Sequence, residues 1–209
     1  MEPSFYATVE AIRRLWAVDG YDHRPRLPDL PGLEKWIGDE RFRATYAAFK
    51  HTVASILQPT SICEIGVGFG VSAHAFLDAC PQVLYAGYDD GSMDPRILRT
   101  VRELQGPGRT VFARETSRLD ALPSCDFCHV DGCHLMGHQA HDVGLALRAA
   151  TWVLVDDARD SQVAAATMLA LFGYQPGDCL WAYFEGTWSG DILIYTGRKH
   201  EEQKGPASA

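Results

Sequence analysis

From Ser61 onward the chain alternates short apolar runs, rich in β-branched and aromatic residues, with longer stretches whose apolar positions recur every three or four residues. The runs predict strands at Ser61–Ile65, Val83–Tyr88, Thr110–Ala113, Phe127–Val130, Trp152–Val155, Cys179–Phe184 and Ile192–Thr196. The periodic stretches predict helices at Val71–Ala79, Pro95–Gln105, His138–Ala149 and Ser161–Phe172. Strand and helix in repetition make an α/β fold, a seven-stranded, mostly parallel sheet covered by helices. Only Glu185 to Asp191 separate the last two strands, too short for a parallel crossover, so these two are expected as an antiparallel hairpin.

The first sixty residues read differently. Phe5–Val18 and Phe42–Leu57 have helical spacing, and the proline-rich stretch Arg24–Gly32 lies between them. This predicts an N-terminal helical cap over 1–60, a core over 61–198 and a polar, flexible tail over 199–209. The apolar positions of Phe5–Val18 suit packing on the core or the interface of a homo-oligomer.

The 209 residues, 46% hydrophobic and 22% charged, suit one soluble domain with a short extension. Lys and Arg number 19 against 27 Asp and Glu, and the net charge of -8 repels a phosphate backbone, so no nucleic-acid partner is expected. The chain has no apolar run of ~18 residues, and its start lacks a basic segment followed by an apolar one. These features predict a cytoplasmic protein without a membrane partner. The six cysteines lie mostly in or beside apolar strands and are expected as free, buried thiols.

Candidate chemistry gathers at strand ends. The first strand runs into Cys63-Glu64-Ile65-Gly66-Val67-Gly68-Phe69-Gly70-Val71-Ser72, an acidic residue followed by alternate glycines. Glycines let the backbone turn sharply and let a ligand lie against it, which describes a nucleotide pocket; a bland strand-to-helix connection is the alternative. The dinucleotide spacing G-x-G-x-x-G needs glycine at 71, where Val71 stands. The second strand ends in Asp89-Asp90, the fourth in Asp131-Gly132-Cys133-His134 and the fifth in Asp156-Asp157. In a parallel sheet all these ends share one edge, so neighbouring fourth and fifth strands bring Asp131, Asp156 and Asp157 together. Three close carboxylates call for a cation, and oxygen ligands favour Mg2+ over zinc, with calcium or manganese left open.

Each feature has a plainer alternative. The aspartates could cap helices, and Asp89-Asp90-Gly91-Ser92 could be a solvated turn. His134, His138 and His141 share helical spacing and with Asp131 could make a nitrogen-rich metal site. Cys125, Cys128 and Cys133 are a weaker zinc candidate, because residues three apart on a strand face opposite sides. Gly186–Gly190 is a hairpin tip, either a plain turn or a flap over substrate.

The E-x-G-x-G-x-G run resembles the first motif of class I S-adenosylmethionine-dependent methyltransferases, and the match extends over roughly Ile62 to Arg198. The D-G-x-H and D-D ends are similar to those of metal-dependent O-methyltransferases, nearer the group acting on sugars of natural products than the catechol type. The resemblance implies a Rossmann-like sheet with S-adenosylmethionine held by Glu64, Gly66, Gly68, Gly70 and Ser72. It places Asp89 at the ribose hydroxyls, Thr116 and Ser117 at the adenine, and Asp131 beside the donor. It also implies Mg2+, or another hard divalent cation, on Asp131, Asp156 and Asp157, with His134 as catalytic base where the catechol type has lysine. The implied activity is metal-assisted methyl transfer to a hydroxyl of a small molecule, a sugar or glycosylated natural product. Two departures stand out: Arg148-Ala149-Ala150-Thr151 replaces a Pro-Gly-Gly turn, and Met136 stands where an aromatic often follows the motif. Trp16, Tyr21, His23 and Trp36 are candidate walls of the acceptor pocket. The competing expectations are a metal-independent O- or N-methyltransferase using Asp131 and His134 directly, and a non-catalytic nucleotide- or partner-binding module.

Overall fold

Repeated strand–helix units wind into a single sheet in the computed structural model, which describes residues 4–19, 39–92, 94, 96–173 and 179–197. In chain order come α1 (Phe5–Asp19), α2 (Glu40–Phe42), a π-helical turn (Arg43–Ala47), α3 (Ala48–Leu57), β1 (Ser61–Ile65), α4 (Val71–Ala79) and β2 (Leu84–Tyr88). There follow α5 (Ile97–Glu103), β3 (Arg109–Phe112), a 3-10 turn (Thr116–Arg118), β4 (Cys125–Val130), α6 (Met136–Ala149), β5 (Ala150–Val155), α7 (Ser161–Phe172), β6 (Leu180–Phe184) and β7 (Asp191–Tyr195). The strand order is β3-β2-β1-β4-β5-β7-β6, with β7 antiparallel to both its neighbours, as the short last connection requires. β4 and β5 begin earlier than expected because Cys125 pairs with Ala150, so the ladder recruits residues that polarity alone leaves outside. The proline-rich stretch, Tyr21, His23, Trp36 and the 199–209 tail lie outside the described residues.

Each face of the sheet carries its own apolar layer. On one, Phe5 and Ile12 of α1, Phe49 and Val53 of α3 and Phe76 of α4 cover Ile62, Phe127 and Leu154. On the other, Val143 and Leu147 of α6 and Val163 of α7 cover Cys128, Val153 and Ile194. Fully buried rings such as Phe49 and Phe76 contribute about 1.5–3 kcal/mol each. The apolar side of α1 is thus buried within the chain, where the Phe5 ring stacks 6.0 Å from that of Trp152. α1 and α3 form a layer of the fold. The six thiols are free, and four are buried. Although strand alternation predicts Cys125 and Cys128 on opposite faces, both lie in one buried cluster with Cys63. Among the described residues no helix is long and apolar enough to cross a membrane.

The strand order reverses between β1 and β4. Connections leave these two strands in opposite directions, which opens a crevice at their carboxyl ends.

Candidate active site

A cleft of about 830 Å³ fills that crevice. Its floor is the loop after β1. Gly66 has φ +81°, and a Cβ there would stand 1.9 Å from the Asp131 carbonyl oxygen, so this turn lies directly on the end of β4. Gly68, with φ +52° and open space where a Cβ would be, leaves room for a ligand. Asp89 braces the loop from β2, accepting the Gly68 N–H at 2.8 Å and the Gly91 N–H at 2.7 Å.

Beneath the loop, Glu64 is fully buried. It accepts the hydroxyls of Ser72 and Tyr85, and its Oε1 lies 2.8 Å from His129 Nδ1. Burial comes first, then the Glu64 charge, in pushing the Tyr85 hydroxyl well above the usual tyrosine range.

Across the cleft, His134 Nε2 lies 2.9 Å from Asp157 Oδ2. The hydrogen bond to Asp157 raises the His134 pKa above the ordinary imidazole value, against partial burial. Asp157 has φ 56°, a left-handed conformation unusual for a residue with a side chain, of the kind concentrated at functional sites. Asp131 Oδ2 accepts the Tyr46 hydroxyl at 2.7 Å. Burial first, then the charges of Asp156 and Asp157, push the Asp131 pKa well up.

Asp156 turns inward. Its Oδ1 accepts Ser189 Oγ at 2.7 Å and the Asp157 N–H at 2.8 Å, and its Oδ2 lies 3.1 Å from Lys50 Nζ. Lys50 also contacts Asp191, and both of its ion pairs are out of solvent. Burial pulls the ammonium pKa down, but Asp156 and Asp191 outweigh it and hold the pKa above the usual lysine range. Desolvation raises Asp156, yet Lys50, then His129 and Ser189, bring its pKa below the ordinary carboxylate value. Asp191, with burial only partly offset by Lys50, is raised to about 6. One ammonium between two buried carboxylates leaves one of the two costly to ionise.

The cleft wall on the N-terminal side is aromatic. Phe42 stacks on Tyr46 at 4.9 Å and meets Trp188 edge-on at 5.3 Å, and all three rings line the cleft. Trp188 sits in the β6–β7 tip, which is tied down by its N–H to Thr45 O at 3.1 Å and by Arg159 on the Trp188 carbonyl at 3.3 Å. At the opposite end, buried Asp142 accepts Thr116 Oγ1 at 2.6 Å, and both residues border the cleft.

No protein-family model matches the chain, and no curated protein matches it in sequence. Solved structures match it in three dimensions. The SAH-bound methyltransferase PaMTH1 of Podospora anserina aligns with TM-score 0.58 at 16% identity, over 90% of this chain and 88% of that one. The O-methyltransferase of Bacillus cereus in complex with SAH gives 0.52 at 13% identity, over 94% and 93%. The precorrin-6y C5,15-methyltransferase of Geobacter metallireducens gives 0.53 at 14% identity, over 79% and 92%. The chain has the methyltransferase fold.

Within this methyltransferase fold, Gly66, Gly68, Ser72, Asp89, Thr116, Asp131, His134 and Asp157 border the cleft. Glu64, Gly70 and Asp156, expected there, do not. Glu64 is occupied by its buried partners; Gly70 starts α4 with φ +80° against Thr100; Asp156 is drawn into the core by Lys50. Ser117 belongs to the 3-10 turn beside Thr116. Trp16 lies behind the wall, its ring edge-on to Phe49 at 5.4 Å.

Of the three expected carboxylates, Asp156 is ion-paired to Lys50, while one of its oxygens still lies within 4.8 Å of ligand atoms of Asp131 and His129. The set facing the cleft is Asp131, His134 and Asp157, whose ligand atoms all lie within 4.8 Å of one another. Lys50, Tyr46, His129 and Asp142 were absent from the sequence expectations. A lone lysine beside the apolar positions of α3, and a histidine inside an apolar strand, are the signals that could have found two of them.

Proposed function

We propose that the chain transfers a methyl group from S-adenosylmethionine to a hydroxyl of a small molecule, with His134 as the base. The observation that carries this is the His134–Asp157 pair, set across the cleft from the glycine loop. Nε2–H donates a hydrogen bond to Asp157, which assigns the tautomer and leaves Nδ1 to accept the proton of the acceptor hydroxyl. The donor, when bound, supplies an electrophilic methyl group whose bond to sulfur breaks as the new oxygen–carbon bond forms. Gly66 and Gly68 would let it lie on the backbone, with Asp89 beside its ribose and Thr116 toward its adenine. Phe42, Tyr46 and Trp188 suit an acceptor with an apolar face and several hydroxyls, a sugar or a glycosylated natural product.

A second reading keeps a divalent ion, and it draws on the cleft-facing cluster of Asp131, His134 and Asp157, where Asp131 has neighbouring carboxylates to balance. The ion, when bound, would polarise the acceptor oxygen. His134 would then be a ligand rather than the base.

The test is calorimetric titration with S-adenosylmethionine, followed by labelled methyl transfer to a panel of hydroxylated sugars and glycosides. Donor binding with transfer to oxygen is expected. A protein that binds no donor is no methyltransferase.

A further inference from the structure

We propose that Lys50 is the resident cation of the acidic strand edge, holding Asp156 out of the cleft so that methyl transfer needs no divalent ion. This rests on the methyltransferase reading above and concerns the same site. Lys50 is a positioning residue: it is completely buried, does not border the cleft, and acts through the carboxylate it holds.

Its surroundings are built for a cation. The Lys50 ammonium lies 3.1 Å from Asp156 Oδ2, contacts Asp191, and stands 4.5 Å from the centre of the Tyr46 ring and 5.7 Å from that of Phe49. Two carboxylates and two π faces thus surround one positive charge in a solvent-inaccessible place. The same helical stretch delivers both partners, since Tyr46 and Lys50 are four residues apart and Tyr46 donates its hydroxyl to Asp131.

Every carboxylate that a hard ion would require already has a donor. Asp156 Oδ1 accepts Ser189 and the Asp157 N–H while its Oδ2 has the Lys50 ion pair; Asp131 Oδ2 has Tyr46; Asp157 Oδ2 has His134. Mg2+ requires near-octahedral oxygen ligands at about 2.0–2.1 Å. Recruiting Asp156 would pull it off an ammonium that is then left buried beside a second cation. Recruiting His134 instead would remove the base. Lys50 supplies the charge compensation that the carboxylate pattern demands while leaving the His134–Asp157 pair intact.

The test uses the full chain, purified and stripped with chelator. Binding of Mn2+ is read from the loss of its free-ion electron paramagnetic resonance signal, and donor binding by calorimetry on the same samples. Wild type is expected to leave the Mn2+ signal unchanged and to turn over in excess chelator within about twofold of its rate with Mg2+. Lys50→Met, which frees Asp156, is expected to gain Mn2+ binding. Lys50→Arg keeps the charge and should keep chelator-resistant turnover. Wild type that binds Mn2+, or stops on chelation and recovers with Mg2+, overturns the proposal. A folded Lys50→Met that gains no Mn2+ overturns it too; if that variant does not fold, the wild-type arms decide. The Mn2+ arm needs neither donor nor acceptor, so failure to bind S-adenosylmethionine would remove the methyltransferase reading separately.

Discussion

His134 Nε2 stands 2.9 Å from Asp157 Oδ2, and the aspartate reaches it from a backbone at φ 56°. Asparagine tolerates that left-handed conformation, so Asp157→Asn keeps the shape and removes the charge. It should bind S-adenosylmethionine as wild type does and transfer methyl groups more slowly. His134→Ala should lose about 10²–10⁴-fold in turnover with donor affinity retained. Wild-type turnover in His134→Ala would remove the residue from the mechanism.

The same hydrogen bond sets a pH dependence. Asp157 stabilises the charged imidazole and raises the His134 pKa, so the neutral base becomes plentiful only above the ordinary value of ~6.5. kcat/KM should therefore rise with pH through a midpoint above ~6.5, and Asp157→Asn should move that midpoint down. A flat profile over this range would contradict the assignment.

Asp191 gives a stability signature. Its pKa is about 6 when folded, raised by burial, against ~3.9 in an unfolded chain. A raised folded pKa means stability present in full below ~3.9 and lost as pH rises through the folded value. The stability of wild type minus that of Asp191→Asn should fall across this window, by about 3 kcal/mol at most. Chemical denaturation at a series of pH values measures it, and a constant difference would refute the shift.

Two glycines separate close packing from backbone strain. Alanine at 66 would drive a Cβ to 1.9 Å from the Asp131 carbonyl oxygen, while at 68 it meets open space and pays only for φ +52°. Gly68→Ala should cost about 1–2 kcal/mol. Gly66→Ala should cost clearly more by thermal melting, and equal losses would mean that the loop does not rest on β4 as described.

Much of this fold was legible along the chain because strand and helix patterns are local. Val71–Ala79 and Ser161–Phe172 form with the expected bounds, and the short link before Asp191 dictated the reversed last strand. The strand-end position of His134 and Asp157 was legible too, since a parallel sheet sends those ends to one edge. Which way each end residue turns was not. Asp156 and Asp157 are adjacent in sequence, yet one faces the core and the other the cleft, and the left-handed backbone at Asp157 separates them. Glu64 stands at a strand end as its position in the chain suggests, but its partners Tyr85 and His129 come from the two flanking strands, which spacing along the chain does not show.

Sequence alone determined the order of strands and helices, the glycine turn and the delivery of carboxylates and a histidine to one edge, all consequences of local periodicity and short connections. Tertiary structure decided the charge balance there. Lys50 lies in α3 and Asp191 in β7, and only packing of that helix on the sheet brings them into one buried cluster with Asp156. Side-chain electrostatics act through space, and sequence spacing carries no measure of that distance.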